Sequence, residues 1–473
     1  MLGLLGTLNL AARSMQAQMT GVEVSGQNLA NVNTTGYSRQ TVQLTASPDI
    51  TTGVGPEGTG VSVTAIQQQV NALLNAQIQT QSSTSGYWSG QQTALQSAEN
   101  ALDEFLNGTA STDSSSTTST SSTGLASQLN SLFSNFQAVS TSPTSVSAQQ
   151  ALVSQAQTLA STFNQISTQL GSLKTTLNST ISDDVDSANK LLSDIANLNK
   201  QISTAEAGGG TANDLRDERE QDLENLAQLT NITTSTESNG TVDVSIGGQA
   251  LVTGYNLTDS LQTYDAGSGQ LLVQTATGGV PLTLTGGSIQ GTIDARDGSL
   301  ATLQTNIDTL ASTLITQVNS IYTNGYSSTG STGSTFFDGT NASTITVNAS
   351  LASNPSLLQT SGSATASGDN SVILQLAQLG SAAQSALNNQ TFNDNYDSTV
   401  AALGTSLQTA NDQVTSQTSV AQMLSTQRSS VSGVSVDDEM TNLMTYQRAY
   451  EASAQLVSTL NTLLGDTLAM VQG

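Results

Sequence analysis

The sequence lacks cysteine and histidine, and it contains only one tryptophan, Trp88. Without cysteine and histidine, the usual Cys/His zinc sites, thiol nucleophiles, disulfide scaffolds and Ser-His-Asp triads are excluded. The lack of cysteine is also compatible with a chain that crosses into an oxidising space and must avoid disulfides there. Composition alone therefore excludes most familiar hydrolase mechanisms.

Positive charge is scarce as well. The 473 residues include 10 Lys and Arg against 35 Asp and Glu, a formal net charge of -25, and only 10% of residues are charged, where about 25% is usual. Such a chain cannot neutralise a phosphate backbone or an anionic lipid surface, so nucleic-acid and membrane-surface binding are disfavoured. Serine, threonine, asparagine and glutamine must keep its surface hydrated.

Long apolar runs are missing too. No stretch approaches the roughly 18 apolar residues of a membrane span. Residues 1–10 are apolar but have neither a basic region nor a small-residue cleavage site, so they do not form an ordinary secretion signal. The sequence predicts a soluble, uncleaved protein, long enough for roughly three domains of about 150 residues.

Both ends of the chain carry a heptad pattern. At the amino end the seam comprises Met1, Leu5, Leu8, Ala12, Met15, Met19, Val22, Gly26 and Leu29. At the carboxyl end it comprises Val436, Met440, Leu443, Tyr450, Ala454, Val457, Leu464, Leu468 and Val471. One such stripe is usually an ordinary amphipathic helix. Two stripes that reach the chain ends instead favour coiled-coil pairing with each other or with other copies.

Two polar residues, Gln447 and Asn461, interrupt the carboxyl-terminal seam. Buried polar residues in a seam can fix the register of a coiled coil. Solvent-facing positions explain them equally well, and both interpretations stay open.

The region between the ends is mostly helical with inserted β structure. Helical patterns cover 70–106, 125–229, 300–318 and 371 onward, apart from a break at 432–436. A Ser/Thr tract at 109–124 predicts a loop, and a long helix is predicted over 145–205. After Gly208–Gly210, Asn213 is expected to cap the next helix. Alternating patterns at 241–252, in LLVQT, in PLTLTGG and in STITVNASL predict short strands.

This order predicts an elongated, mainly α, multidomain protein with inserted β structure. A terminal coiled-coil domain combines 1–60 with 432–473, and a helical bundle combines 61–235 with 291–330 and 370–431. A small outward β domain is expected at 236–290, and a further small β segment attached to the bundle at 331–369.

No catalytic, cofactor or metal site is predicted. The acidic runs Asp183–Asp186 and Asp437–Glu439 lack the alternating ligands and turn glycine of a calcium loop. The second run is better explained as acids that stabilise a helix amino terminus. A two-carboxylate glycosidase needs neither histidine nor cysteine, but an aromatic content of 4% offers few platforms for sugars. The glycine groups at 208–210 and 58–60 lack phosphate-binding spacing and predict turns.

One block is unusual as a string of amino acids, SGQNLANVNTTGYSRQTVQL at 25–44. Physically it predicts a helix through Leu29 that ends at Asn31 and Asn33, a turn at Gly36 and an extended segment. The block resembles the ANxxTxGY motif of axial proteins of the bacterial flagellum, with Thr35 where proline is common. Its SRQ continuation is similar to the hook-associated members of that family.

Four further stretches resemble the same family. They are NDLRDEREQDLENLAQLTNITT followed by NGTVDVSIGGQALV at 213–252, GTIDARDGSLATLQTNIDTLASTLITQVNSIYTNGY at 291–326, FFDGTNASTITVNASLASNPSLL at 336–358 and SGVSVDDEMTNLMTYQRAYEASAQLVSTLNTLLGDTL at 432–468. Together these stretches span nearly the whole chain.

The resemblance implies a structural component of the extracellular bacterial flagellum at the hook–filament junction, not an enzyme, with no cofactor. Terminal helices would form an inner tube, the bundle a second layer, and β insertions would face outward. The implied partners are other copies in a ring or helical turn, the hook protein, a second junction protein, filament flagellin and an export chaperone on the carboxyl-terminal region. Export would follow the flagellar type III route, and neither nucleic acid nor membrane insertion is implied.

The residues predicted to pack between subunits come from both ends of the chain. They are Leu5, Leu8, Met15, Met19, Leu29, Asn31, Asn33, Gly36, Tyr37, Arg39, Met440, Leu443, Tyr446, Arg448, Tyr450, Val457 and Leu464. Another axial protein, such as flagellin, and a secreted Ser/Thr-rich adhesin are the alternatives. An adhesin would not require heptad seams at both ends.

Overall fold

A computed structural model describes residues 3–52, 55–102, 124–267, 269–366 and 368–472. The predicted Ser/Thr loop at 109–124 lies outside the described residues except for Gly124. Met1 of the amino-terminal seam lies outside them as well.

Helices dominate the described chain, as the sequence predicts. They are α1 (Leu4–Ala30), α2 (Ala72–Ala101), α3 (Leu125–Thr141), α4 (Val146–Glu206), α5 (Asn213–Leu229), α6 (Gly287–Asp294), α7 (Ala301–Tyr322), α8 (Ala349–Ser353), α9 (Ser371–Gln378), α10 (Phe392–Ser432) and α11 (Val436–Gln472). A π-helical turn, Ala295–Leu300, joins α6 to α7. With 61 residues, α4 is about 90 Å long, and the molecule is elongated.

The strands are short and pair only in antiparallel fashion. They are β1 (Gln40–Ala46), β2 (Ile50–Thr52), β3 (Gly55–Glu57), β4 (Val61–Gln68), β5 (Ile232–Thr236), β6 (Val242–Ile246), β7 (Gln249–Thr253), β8 (Asn256–Leu257), β9 (Leu261–Asp265), β10 (Leu271–Thr275), β11 (Phe337–Asp338) and β12 (Thr346–Val347). The largest sheet has the order β5-β6-β7-β8, and its neighbours β9 and β10 form a hairpin.

The strand pair β1–β4 follows the motif block. Gln40 of β1 pairs with Gln68 of β4, so this ribbon crosses the boundary predicted after residue 60. The sequence analysis identified the first strand as an extended segment and missed the second. The glycines at 58 and 60 predict the turn before β4, but no strand was predicted after that turn.

Two hydrophobic cores share the long helix α4. The first core contains Leu170 and Leu177 of α4 together with buried residues of α3, α7, α9 and α10. The second begins at Ile181 and combines α4 with α5, α6 and the strands β6, β7, β9 and β10. Helix α4 therefore connects the helical bundle rigidly to the β structure.

Three local predictions are wrong. Ala212, not Asn213, caps α5, because the Asn213 side chain instead donates to the Gln40 side chain and the Ile66 carbonyl. The PLTLTGG segment forms only an isolated bridge at Pro281. The helix predicted from residue 371 onward stops at Gln378, and α10 begins at its Thr391 cap, since two 3₁₀ turns and the left-handed Asn388 intervene.

Helices α2 and α6 pack closely through glycines spaced four residues apart. A Cβ on Gly90 of α2 would lie 2.7 Å from the Ser288 carbonyl oxygen of α6, and one on Gly291 of α6 would lie 2.0 Å from the Tyr87 carbonyl oxygen of α2. One on Gly86, four residues before Gly90, would lie 2.0 Å from the Gln228 carbonyl oxygen of α5. Next to this contact, the Tyr87 hydroxyl donates to Asp294 at 2.9 Å. Only glycine permits backbones to approach so closely.

Candidate functional site

The two ends of the chain pair with each other, as predicted. Asn28 bonds Glu439, a Cβ on Gly21 would meet the ring of Tyr446 at 2.7 Å, and Ser14 bonds Ser453 at 3.0 Å. From each of these contacts to the next, the residue number falls by seven in α1 and rises by seven in α11. The helices are therefore antiparallel and in heptad register. We call α1 and α11 the terminal helix pair.

The contact between these helices is built from small and polar residues. The buried residues of α1 are Ala11, Ala17, Gly21, Val24, Ser25 and Asn28. Tyr446 fills the space over Gly21 because that position has no side chain. Three side-chain contacts thus fix the register: Asn28–Glu439, Gly21–Tyr446 and Ser14–Ser453.

The predicted apolar seams are covered only in part by this contact: Met15, Tyr450 and Val457 are half-buried, but other seam residues are not. Leu5 is 68% exposed, Met19 53%, Met440 43% and Leu468 58%. Hydrophobic periodicity identifies the most apolar stripe of a helix, but the closest pairing of α1 and α11 uses a neighbouring stripe of small residues. Gln447 and Asn461 are also exposed, so they do not set the register of this pair.

The seventeen residues predicted to pack between subunits divide by exposure. The exposed ones are Leu5, Met19, Asn33, Gly36, Met440 and Arg448, and the half-buried ones are Leu8, Met15, Leu29, Asn31, Tyr37, Arg39, Leu443, Tyr446, Tyr450, Val457 and Leu464. Tyr37, Arg39 and Tyr446 have contacts inside the chain, and Met15 lies in a groove between the two helices.

Asn28 organises the motif block, and the sequence analysis did not single it out. Its side chain accepts from the Gln40 amide at 3.0 Å and from the Tyr37 hydroxyl at 2.9 Å, and it donates to the Gln40 carbonyl at 2.8 Å. Asn28 is 1% exposed, so these bonds satisfy a buried amide. They fold the end of α1 back onto β1 around the turn at Gly36, whose φ is 82°.

Glu439 is the second residue that sequence reasoning missed. The acids Asp437 and Asp438 stand exposed in the first turn of α11, as expected for a helix amino terminus, but Glu439 is 2% exposed. Its carboxylate accepts from Arg39 at 2.7 Å and from Asn28 at 3.2 Å. The backbone amide of Arg39 donates to the Ser432 carbonyl at 2.8 Å. Arg39 therefore connects the motif to both α10 and α11.

Helix α5 holds the motif from the other side. Asp214 accepts from the Gln40 side chain at 2.8 Å, and Asp217 accepts from the Ser38 amide and the Gln68 side chain, each at 2.8 Å. We call Asn28, Arg39, Gln40, Asp214, Asp217 and Glu439 the joint. Because these residues come from α1, β1, α5 and α11, the joint fixes the terminal helix pair to the rest of the chain.

Two acidic groups in and beside the joint, Tyr37 and Asp217, have raised pKa values. Burial raises the pKa of Tyr37 to about 12, and the nearby Asp214 and Asp217 carboxylates add to that rise. Its hydroxyl therefore stays protonated and donates to Asn28. Burial also raises the pKa of Asp217 above its usual range, against the hydrogen bonds from Ser38.

Four of the chain's few basic residues, all arginines, make contacts inside the chain. Arg216 binds both oxygens of Glu206 at 2.7 and 2.8 Å, and Arg428 pairs with Glu224. Arg219 is 6% exposed and donates to the Asn199 side chain and the Gly240 carbonyl, each at 2.8 Å. Burial lowers its pKa to about 10. The fully buried Arg296 pairs with Asp297 at 2.7 Å.

One acid on α5 yields a pH-dependent prediction. Burial, together with the Asp194 and Glu218 carboxylates, raises the pKa of Asp222 to about 6 against the opposing effect of Lys190. A raised carboxyl pKa means that folding favours the protonated form, so stability falls as the pH rises from about 4 to 6. We expect Asp222→Asn to stabilise the protein by about 1 kcal/mol at pH 7, after discounting for solvent screening.

Thermal unfolding at pH 7 and pH 3.5 tests this expectation. The difference between Asp222→Asn and the unchanged chain is expected at pH 7 and should become small at pH 3.5, because Asp222 is then protonated in the folded state and mostly protonated in the unfolded state. Equal differences at both pH values would contradict the assignment. Asp412→Asn, on α10, is the control.

Within the described residues, no group of three or more acidic side chains could hold a metal ion. No helix in the same part of the chain is long and apolar enough to cross a membrane. The joint consists of one ion pair, Arg39–Glu439, and of hydrogen bonds from neutral groups to Asp214 and Asp217. Such an arrangement can hold helices in a fixed position relative to one another.

Comparison with known families gives two matches. Residues 111–337 match the family described as flagellar hook-associated protein FlgK helical domain. Residues 425–470 match the family described as flagellar basal body rod FlgEFG protein C-terminal. The second match begins in α10 and covers most of α11, which forms half of the terminal helix pair.

Relatives match along nearly their whole length. The chain is 27% identical over 504 residues to flagellar hook-associated protein 1 of Bacillus subtilis (strain 168), which covers 97% of this chain and 96% of that protein. It is 23% identical over 564 residues to the protein of the same name from Salmonella typhimurium, covering 96% and 98%. The Escherichia coli K12 protein of that name is 23% identical over 553 residues, again covering 96% and 98%.

A solved structure shares the fold. The flagellar hook junction protein FlgK from Burkholderia pseudomallei superposes with a TM-score of 0.63 at 18% identity, covering 75% of this chain and 100% of that one.

Proposed function

We propose that this chain is a member of the FlgK family of flagellar hook-associated proteins, and that its terminal helix pair is the surface through which it assembles with neighbouring subunits. It is a structural component of the hook–filament junction in the extracellular bacterial flagellum, not an enzyme. It assembles with other flagellar components. Family membership therefore favours this function over the flagellin and adhesin alternatives.

The observation that carries the proposal is the stripe left uncovered on the terminal helix pair. Pairing inside the chain uses small residues, so Leu5, Met19, Met440 and Leu468 stay largely exposed. Burying each such side chain stabilises an assembly by about 1.5–3 kcal/mol. Exposed apolar side chains in heptad order favour further helices as the partner.

The same proposal includes the neighbouring proteins, the role of the assembled ring and the export route. The neighbours are other copies in a ring or helical turn, the hook protein on one side, and a second junction protein and flagellin on the other. The assembled ring templates filament growth. Export follows the flagellar type III route with a chaperone on the carboxyl-terminal region. The proposal also includes the division of the chain into terminal, bundle and β domains, with the β1–β4 ribbon beside the terminal helix pair.

The proposal is tested by making the exposed stripe polar. We expect Leu5→Asn combined with Leu468→Asn to abolish filament growth in a strain that lacks the native protein, because two apolar contacts become amides. Both side chains are exposed in the subunit, so folding and export should be unchanged. Electron microscopy of the hooks and immunoblots of the medium measure the two outcomes.

Leu73→Asn is the matched control. Leu73 is 70% exposed on α2, outside the terminal helix pair, and its replacement should leave filament growth intact. In the deletion strain itself, bare hooks should remain while flagellin is lost to the medium. Normal filaments on the doubly substituted subunit would overturn the proposed surface, and normal filaments in the deletion strain would overturn the proposed function.

A further inference from the structure

Methionine is confined to the ends of this chain. All seven methionines lie at positions 1, 15, 19, 423, 440, 444 and 470, and none occurs from residue 20 to residue 422. Six of the seven therefore fall in α1, in α11 or just before α1, and the seventh lies near the end of α10. Packing of the cores, which lie elsewhere, does not account for this distribution.

Four of these side chains are exposed on the terminal helix pair. Met19 is 53% exposed, Met440 43%, Met444 48% and Met470 78%. Met15 is half-buried and lies beside Ala454 and Val457 in an open groove between the helices. Because the chain has no cysteine, these thioethers are its most easily oxidised groups.

We propose that oxidation of the exposed methionines on the terminal helix pair, Met19, Met440, Met444 and Met470, to sulfoxides blocks incorporation of the subunit. The oxidant is hydrogen peroxide or hypochlorous acid. With peroxide, the thioether sulfur takes one oxygen atom and is oxidised by two electrons, and the peroxide is reduced to water. No bond of the protein breaks. This inference rests on the proposed function, because it names the regulation of the same surface.

The physical reason lies in the chemistry of the side chain. Methionine is unbranched and polarisable, so it adapts to partners of different shape. Such adaptability suits a surface that must contact unlike neighbours. A sulfoxide is polar, and it disrupts contacts that a thioether makes with apolar neighbours. The free subunit is the vulnerable state, because assembly would cover these sulfurs.

The test uses the purified full chain and hooks isolated from a strain that lacks it. The untreated protein should sediment with the hooks, and the peroxide-treated protein should stay in the supernatant. Peptide mapping by mass spectrometry should find the added oxygen on Met19, Met440, Met444 and Met470, and also on the exposed Met423 of α10. Equal unfolding midpoints before and after treatment would show that the remainder of the fold is intact.

Variants identify the responsible residues. The fourfold change Met19→Leu, Met440→Leu, Met444→Leu and Met470→Leu should sediment with hooks before and after peroxide. Met423→Leu is the control, since Met423 is 60% exposed on α10, outside the pair; this variant should stay as sensitive as the unchanged chain. The fourfold change to glutamine, a polar substitute of similar length, should fail to sediment even without peroxide.

Loss of sedimentation by the oxidised leucine variant would overturn the inference while leaving the proposed function intact. Sedimentation of the fully oxidised wild-type protein would overturn it as well. Failure of the untreated wild-type protein to sediment would overturn the proposed function, and this inference with it.

Discussion

Gly291→Ala is expected to destabilise the β-bearing half of the molecule strongly. A Cβ at this position would lie 2.0 Å from the carbonyl oxygen of Tyr87 and 2.8 Å from its carbon. Both contacts are with the backbone of α2, so no side-chain rotation can relieve them. Separating α2 from α6 would also strain the bond between Tyr87 and Asp294. Overpacking of this kind costs about 3 kcal/mol.

Urea unfolding followed by circular dichroism measures the cost. Gly171→Ala is the matched control, because Gly171 lies in the exposed middle of α4 and a Cβ there meets nothing within 4 Å. Alanine is the better helix former by about 1 kcal/mol, so the control should be as stable as the unchanged chain or more stable. Similar unfolding midpoints for the two variants would show that α2 and α6 can separate without cost.

Glu439→Ala is expected to release α11 from α1. The substitution removes the buried acceptor of Arg39 and Asn28. A buried donor left without a partner costs roughly 1–3 kcal/mol. Since Arg39 is partly exposed, water can replace its lost bond, and we expect about 2 kcal/mol for the pair. Hydrogen exchange along α11 should accelerate, while exchange in α3 and α7 should stay unchanged.

Asp438→Ala separates this effect from helix capping. Asp438 stands in the same first turn of α11 but is exposed, so its loss removes only a helix-dipole interaction worth about 0.3–1 kcal/mol. In a double-mutant cycle, Arg39→Ala and Glu439→Ala should be strongly non-additive. If Asp438→Ala and Glu439→Ala accelerate exchange equally, or if the cycle is additive, the ion pair does not hold the helices.

The joint also changes how Arg39 should be tested. Sequence reasoning placed Arg39 at a contact between subunits, because cations are so scarce in this chain. In the folded chain its guanidinium binds Glu439. Arg39→Glu would therefore place two carboxylates together inside one subunit, and a loss of filament growth would report that repulsion. The exposed stripe on the terminal helix pair is the cleaner place to test assembly.

Sequence alone determined the class of this protein. The absence of cysteine and histidine excluded most catalytic sites, the two heptad patterns predicted terminal helices that pair, and the motif block at 25–44 showed a resemblance to axial proteins of the bacterial flagellum. These properties are readable because each depends on residue type or on spacing along one chain. The 61-residue α4 and the break before α11 were readable for the same reason.

Only the tertiary structure decided which residues pair. Hydrophobic periodicity pointed to the stripe through Met15 and Met19, yet α1 meets α11 through Gly21, Ser14 and Asn28. Close packing depends on where a side chain is missing, and the partner of a buried charge depends on what folding brings beside it. Neither property produces a repeating pattern in the sequence. The roles of Glu439 and Asn28 and the contact of Gly291 with Tyr87 were therefore visible only in the folded structure.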